Sequence, residues 1–187
     1  TYADLGSNLL TTTPAFPTSL TELWIGANEL STIGALPCGL IYLYAYNNRL
    51  ASLPALPSSL EILWSDNNLL TSIPAFPSSL REIYVQSNRL ASLPPFPTSA
   101  EIINVNGNKL NSLPSLSGLS NLYTLKCAYN NLMSIPNIPA SMEYILADDN
   151  KLTSVPNLSA ATNIWYLSFS NNELSSFPSI TALSLLE

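Results

Sequence analysis

The sequence predicts a solenoid, in which stacked coils each add one strand to a single parallel sheet, mostly β and irregular with little helix. Three observations predict it. Asn-x-Leu recurs at intervals of 20 or 22 residues, apolar residues recur at fixed distances from each Asn, and Pro recurs between them. A fixed period of this size is the mark of a repeat architecture. Because the period runs from end to end, we predict one domain, residues 1–187, with about nine strands.

Each repeat carries one short strand just before its Asn. Apolar residues stand five and three residues before it, as Leu23 and Ile25 do before Asn28. Residues two apart point to the same side of an extended strand. This pair therefore faces the core, and the residues that alternate with it face outward.

Further apolar columns follow each Asn. Leu stands two residues after it throughout, and mostly apolar residues stand five and eight after it, as with Leu30, Ile33 and Leu36. Residues at one offset stack about 4.8 Å apart when neighbouring strands hydrogen-bond. The core is then continuous, and each coil is stable only between its neighbours.

The recurring Asn has a structural reason of its own. The chain must turn sharply after each strand, and buried backbone groups need partners. An inward amide offers donors and an acceptor, so we expect a ladder that satisfies the turns rather than a binding site. This asparagine ladder comprises Asn8, Asn28, Asn48, Asn68, Asn88, Asn108, Asn130, Asn150 and Asn172.

The segments that return to the next strand are rich in Pro. Pro fixes φ and disfavours helix, so these segments are predicted to be extended or polyproline-II-like. The units that begin at Asn108 and Asn150 are two residues longer than the others. Their extra residues predict a short helical turn before the next strand.

Composition excludes several kinds of partner. Charged residues make up only 10% of the chain and the net charge is -6. No basic stripe is evident, so nucleic acid and anionic membranes are not expected as partners. No apolar run approaches the roughly 18–20 residues of a membrane span and no signal peptide is visible, so membrane insertion is not expected.

The residues also give little support for catalysis. The chain has no His, which excludes Ser–His and Cys–His activation. It has no Cys/His metal cluster and no Gly-rich phosphate loop. Cys38 and Cys127 lie four repeats apart, too distant to bridge, and are predicted to be free. We therefore expect a protein that is not an enzyme and has neither a cofactor nor a metal site.

The pattern LPxLPxSLxxLxxxxNxL resembles the repeats of bacterial leucine-rich repeat proteins of the YopM and IpaH type. The segments ASLPALPSSLEILWSDNNLL and TSIPAFPSSLREIYVQSNRL match it closely, and the resemblance covers essentially the whole chain. It implies a right-handed, curved solenoid with the sheet on its concave face and the extended segments on its convex face. It also implies a secreted or surface protein that binds other proteins. The ubiquitin-ligase domain of some members has no counterpart in these residues.

On that concave face, four consecutive repeats present a large aromatic residue four positions before the Asn. These residues are Trp24, Tyr44, Trp64 and Tyr84, and Tyr42, Tyr46 and Asp66 lie beside them. Contiguous exposed aromatics mark binding sites, so these seven residues are the predicted ligand-binding surface. The alternative is an aromatic ladder that only stabilises neighbouring strands through cross-strand pairs.

The sequence thus predicts a non-enzymatic binding module, extracellular, secreted or at the cell surface, that recognises a protein or, alternatively, a glycan. A rival hypothesis is a structural protein. Both ends of the repeat array look uncapped, with Thr1 inside a strand and Ile180, Leu183 and Leu186 leading toward a further one. Uncapped solenoids expose sheet edges, which would let copies self-associate end to end into fibres.

Overall fold

The computed structural model describes residues 1–181, 183 and 185, and over this part of the chain it is a parallel-sheet solenoid without a helix. The predicted fold class is confirmed. No helix among the described residues is long and apolar enough to cross a bilayer. The strands are β1 Tyr2–Asp4, β2 Glu22–Trp24, β3 Tyr42–Tyr44, β4 Ile62–Trp64, β5 Glu82–Tyr84, β6 Ile102–Asn104, β7 Thr124–Lys126, β8 Tyr144–Leu146 and β9 Tyr166–Ser168.

The strands form one sheet in sequence order, and each pair of neighbours is parallel. The register equals the repeat length, so that Leu43 pairs with Leu63 and Ile103 pairs with Leu125. Residues at one offset from the Asn therefore form columns that run along the sheet.

The core lies behind the sheet and includes a column that the sequence analysis overlooked. Inward strand residues such as Leu43 and Leu63 are fully buried. Phe177 and Ile180, which the periodicity places in the core, are instead 47% and 37% exposed. No further strand covers them among the described residues, and Leu186 lies outside those residues. The overlooked column stands eight residues before each Asn and comprises Leu20, Leu40, Leu60, Leu80, Ala100, Leu122, Met142 and Ile164.

Every coil turns through a left-handed residue directly before its Asn, with φ between 50° and 62°. This conformation costs residues other than Gly roughly 1–2 kcal/mol, so the surrounding hydrogen bonds must hold it. The residues are Ser7, Ala27, Asn47, Asn67, Ser87, Gly107, Tyr129, Asp149 and Asn171.

The asparagine side chains supply those hydrogen bonds. Asn68 Nδ2 donates to the carbonyls of Ser65 (3.2 Å) and Asp66 (3.1 Å) in its own turn and of Ala45 (3.0 Å) in the preceding coil. Its Oδ1 accepts from the backbone N–H of Leu50 at 3.0 Å. The same four bonds recur at Asn28, Asn48, Asn88, Asn108, Asn130, Asn150 and Asn172.

The longer units do not contain the predicted helical turn. In the first of them, Leu119 N–H donates to the Leu116 carbonyl (3.3 Å) and Leu122 N–H donates to the Leu119 carbonyl (3.0 Å). The two additional residues therefore form a second tight turn after the first. The chain re-enters the sheet in the same register as the shorter units.

Candidate functional site

The predicted ligand-binding residues lie on β2 to β5 and in the turns that follow. Leu43 and Ala45 are fully buried, so Tyr42, Tyr44 and Tyr46, which alternate with them, point to the other side of the sheet. We call the outward-facing group the aromatic surface; it comprises Trp24, Tyr42, Tyr44, Tyr46, Trp64, Asp66 and Tyr84.

Four of its rings form one continuous series across four strands. The ring centroids of Trp24 and Tyr44 are 3.9 Å apart, with an interplanar angle of 22°. Tyr44 and Trp64 are 5.8 Å apart and tilted by 53°, and Trp64 and Tyr84 are stacked at 5.0 Å and 29°. Trp64 is 37% exposed. The register thus places side by side four rings that are 20 residues apart in the sequence.

Tyr46 joins this series from the side, whereas Tyr42 does not. The Tyr46 ring lies 5.9 Å from that of Trp64 and covers the backbone of Gly26. A Cβ at Gly26 would come within 2.6 Å of the ring, so this glycine makes room for it. Tyr42 pairs in register with Glu22 and Ile62 rather than with another ring.

The charged residues at the outward strand positions of the first six coils are all acidic. The outward strand positions there carry no Lys or Arg, and their acidic residues are Asp4, Glu22, Asp66 and Glu82. Trp24 Nε1 donates to Glu22 Oε1 at 2.8 Å. Burial, and then the charges of Glu22 and Glu82, raise the pKa of Tyr44. Burial and Glu82 raise the pKa of Tyr84. Both hydroxyls remain protonated donors at neutral pH.

Asp66 is the least satisfied member of the aromatic surface. The residue is 7% exposed, and its Oδ2 accepts a hydrogen bond from Asn67 Nδ2 at 2.6 Å. Its Oδ1 is buried and has no partner, and Oε1 of Gln86, one coil further at the same offset, is in the same condition. Burial raises the pKa of Asp66, and its own backbone N–H, the Asn67 amide and the Trp64 side chain oppose that shift. Of these three groups, only the Asn67 amide forms a hydrogen bond of normal geometry with the carboxylate.

A second aromatic cluster, overlooked in the sequence, lies on β7 to β9. Tyr144 and Tyr166 stack at 4.3 Å with an interplanar angle of 5°, and Trp165 packs edge-on against Tyr144 at 5.3 Å. Lys126 Nζ lies 5.1 Å from the Tyr144 ring centroid. The signal was present, because Tyr144 and Tyr166 stand at one offset, six residues before the Asn, in consecutive repeats.

Reactive groups are scarce in the part of the chain that the structure describes. Cys38 is exposed, Cys127 is buried and both are free, as predicted. Burial raises the pKa of Cys127 to about 12, so its nucleophilic thiolate form is rare at neutral pH. No group of three His, Cys, Asp or Glu side chains among the described residues is placed to hold a metal ion.

The parallel strand order, the register of one repeat per coil and the inward asparagines define the chain as a leucine-rich repeat solenoid. Its structural neighbours are YopM, a Shigella effector domain and other bacterial leucine-rich repeat proteins with repeats of about 20 residues. The predicted resemblance is confirmed. No family model matches the sequence, and a search of curated proteins finds no match.

Two YopM structures are similar to this chain over most of its length. YopM from Yersinia enterocolitica is 34% identical over 93% of this chain and 38% of its own, with a TM-score of 0.89. YopM from Yersinia pestis, a leucine-rich effector protein, is 32% identical over 91% of this chain and 60% of its own, with a TM-score of 0.74. The chain thus spans less than two thirds of the length of either YopM structure.

Two further neighbours extend the comparison. A Shigella effector leucine-rich repeat domain is 28% identical over 94% of this chain and 70% of its own, with a TM-score of 0.65. The leucine-rich repeat domain of FLRT2, in an octameric complex with Latrophilin 3 and Unc5D, is 25% identical. The match covers 99% of this chain and 65% of that one, with a TM-score of 0.80.

Proposed function

We propose that this chain is a non-enzymatic protein-recognition module that binds its partner through the aromatic surface. Leucine-rich repeat neighbours are protein-interaction modules, and the FLRT2 domain is part of a multiprotein complex. The observation that carries the proposal is the continuous series from Trp24 to Tyr84 on the outward face of the sheet. Trp and Tyr combine a large apolar area with a polar group and dominate interface energetics.

The packing of the rings favours a protein partner over a glycan. Sugars bind aromatic residues by stacking on a free ring face. Here Trp24 and Tyr44, and likewise Trp64 and Tyr84, use ring faces against each other. The stacks leave ring edges and hydroxyl groups available to a partner. These groups suit the mixed apolar and hydrogen-bonding contacts of a protein interface.

The test is to select partners without assuming their identity. A random 12-residue peptide library is panned on the protein, and enriched peptides are then measured by calorimetry against variants. Trp24→Ser combined with Tyr84→Ser removes the two outer rings of the series, and we expect binding to weaken by at least about tenfold. Trp165→Ser combined with Tyr166→Ser, a matched change in the second aromatic cluster, should leave the affinity unaltered.

Three outcomes would contradict the proposal. No peptide is enriched, or peptides bind the Trp24 and Tyr84 variant as well as the wild type, or both double variants lose affinity alike. The second outcome would mean that the rings only stabilise the sheet, as cross-strand pairs do. Thermal unfolding of each variant separates lost binding from lost fold.

We also propose that the protein acts outside the cell that makes it. The effector proteins among its structural neighbours support this placement. Immunodetection in medium and cell fractions of the source organism tests it, and recovery only from the cytosolic fraction would refute it.

A further inference from the structure

Asp66 holds a buried carboxylate oxygen for which the described residues supply no partner. The residue is only 7% exposed and lies directly after β4. Its Oδ2 accepts one hydrogen bond from Asn67, but Oδ1 accepts none. Buried polar atoms are nearly always paired, and an unpaired one is costly. A bound water would satisfy the hydrogen bond and leave the negative charge uncompensated.

A second acceptor without a partner stands beside the first. Gln86 follows Asp66 by one coil at the same offset, and the backbone N–H of Asn67 donates to the Gln86 carbonyl at 3.0 Å. Neighbouring strands are about 4.8 Å apart, so both side chains belong to one patch. Gln86 Oε1 is also buried and unpaired. Two adjacent acceptors match a head group that carries several N–H donors, as guanidinium does.

The charge around this patch has the sign that such a group requires. Asp4, Glu22, Asp66 and Glu82 are the charged residues at the outward strand positions of the first six coils, and all four are acidic. The next charged outward strand position is Lys126, on β7, where its ammonium already lies near the Tyr144 ring. A positively charged partner is therefore complementary to the aromatic surface.

Aromatic rings lie on the same side of the sheet as the unpaired oxygen. Trp64 is two residues before Asp66 on the same side of the strand, and the Tyr46 ring lies 5.9 Å from the Trp64 ring at an angle of 49°. Trp64 is 37% exposed whereas Asp66 is 7% exposed, so a partner contacts the indole before it reaches the carboxylate. Both orphan oxygens are shielded from solvent, so neighbouring side chains have to shift before a guanidinium can reach them.

We propose that Asp66 and Gln86 receive the guanidinium group of an arginine side chain from the protein partner, with Trp64 packed against it. The inference rests on the proposed function, because it names the chemistry of the group that anchors a partner on the aromatic surface. A guanidinium compensates the carboxylate charge and supplies donors to both orphan oxygens.

The experiment uses N-acetyl-arginine amide as the probe. Protein labelled with ¹⁵N-tryptophan is titrated, and the indole N–H of Trp64 is followed by NMR after assignment with Trp64→Phe. We expect a saturable shift with the arginine probe, no saturable shift with N-acetyl-citrulline amide, and binding about tenfold weaker in Asp66→Asn. The citrulline probe has nearly the same shape without the charge.

Asp148→Asn is the matched control. Asp148 occupies the same offset, but its Oδ1 already accepts from Ser168 Oγ and from the Ser170 backbone N–H, each at 2.6 Å. Arginine binding should be unchanged in this variant. Three results would overturn the inference: equal shifts with the citrulline probe, equal losses of arginine binding in both Asp variants, or unchanged arginine binding in Asp66→Asn. The last result would indicate that the Gln86 amide closes onto Asp66.

The peptide selection separates this inference from the proposed function. Enriched peptides that depend on Trp24 and Tyr84 but contain no excess of arginine would refute the inference and leave the function standing. Arginine binding at Asp66, together with peptides whose affinity does not depend on Trp24 and Tyr84, would refute the proposed function and leave the arginine site standing. An excess of lysine without arginine would refute the assignment of guanidinium.

Discussion

Asp66 and Asp148 occupy the same position in two coils and have opposite environments. Asp148 is held by Ser168 and Ser170 of the next coil, whereas Oδ1 of Asp66 has no partner. The residues of the next coil at the positions of Ser168 and Ser170 are here Tyr84 and Gln86. Asp148 is therefore half-buried with its donors in place, whereas Asp66 is buried and its Oδ1 lacks a donor.

One scaffold position therefore serves two purposes in this fold. Around Asp148 the carboxylate completes bonds within the chain, so it contributes to stability. Around Asp66 it is buried at a cost to stability, beside the most continuous aromatic series. Polar groups that a fold leaves costly and unpaired are candidates for function.

The asparagine ladder should not distinguish the two regions. Asn68 and Asn150 each make four side-chain hydrogen bonds with equivalent partners. Asn68→Ala and Asn150→Ala should each lower the free energy of unfolding by roughly 3 kcal/mol or more, because each leaves several buried backbone groups unpaired. Urea denaturation measures both. Asn8→Ala, which removes only two bonds from an exposed side chain, should cost much less, and equal losses at all three would contradict the prediction.

The two aspartates should respond to amide substitution with opposite signs. Asp148→Asn weakens charge-assisted hydrogen bonds and should lower stability by roughly 1 kcal/mol, whereas Asp66→Asn removes an unpaired buried charge and should raise it by a similar amount. Burial raises the pKa of Asp66 in the folded state, so ionisation destabilises the wild type as pH rises. The gain from Asp66→Asn should therefore be largest near neutral pH and vanish below the unfolded pKa of about 3.9. Thermal unfolding across pH measures this, and a gain that grows toward acid pH would be inconsistent with it.

Ser65 offers a way to make the region around Asp66 resemble the region around Asp148. Its hydroxyl is fully buried without a hydrogen-bond partner, and Ala147 holds the equivalent position before Asp148. Ser65→Ala should raise the free energy of unfolding by about 1 kcal/mol, since an unsatisfied hydroxyl is lost and the backbone bonds remain. Chemical denaturation measures it. Ala147→Ser is the reciprocal control, and a stabilising effect there would refute the reasoning.

The smallest effect concerns the left-handed residue of each turn. Tyr129 has φ 56° and is 63% exposed. The equivalent residue in the coil of Asp66 is Asn67. Asn tolerates this conformation better than Tyr, so Tyr129→Asn should stabilise the protein by about 0.5–1 kcal/mol. Thermal unfolding measures the gain. Gly107→Ala is the control, because its new Cβ would meet atoms no closer than 3.6 Å. The stability lost in this variant therefore reports the cost of the left-handed backbone conformation alone.

Much of the fold followed from periodicity, and the errors were local. The offset rule placed Leu43 and Leu63 in the core correctly, because a parallel register of one repeat per coil brings equal offsets together. It overlooked the column that includes Leu60, which lies just outside the strand, and it placed Phe177 in the core although that residue is 47% exposed. Periodicity says which residues align, but cover by a neighbouring coil decides which of them are buried.

The candidate site was predictable only in part. The adjacency of four rings was predictable from the sequence, because one offset is shared by Trp24, Tyr44, Trp64 and Tyr84. The position of Tyr46 over Gly26 was not, because it depends on the side-chain rotamer and on the space left by a missing Cβ. Nor did the sequence separate Asp66 from Asp148, since both stand two residues before an Asn.

The sequence by itself determined a stack of coils with one strand each, an inward Asn at every turn and a run of aromatic residues along one column. These features are repetitive, so each copy reinforces the same register. Only the tertiary structure decided which rings stack, which carboxylate finds donors and which is left without them. Those outcomes depend on contacts of a few ångströms between side chains some 20 residues apart in the sequence. One substitution in the next coil therefore decides whether a ring stacks or a carboxylate finds a donor.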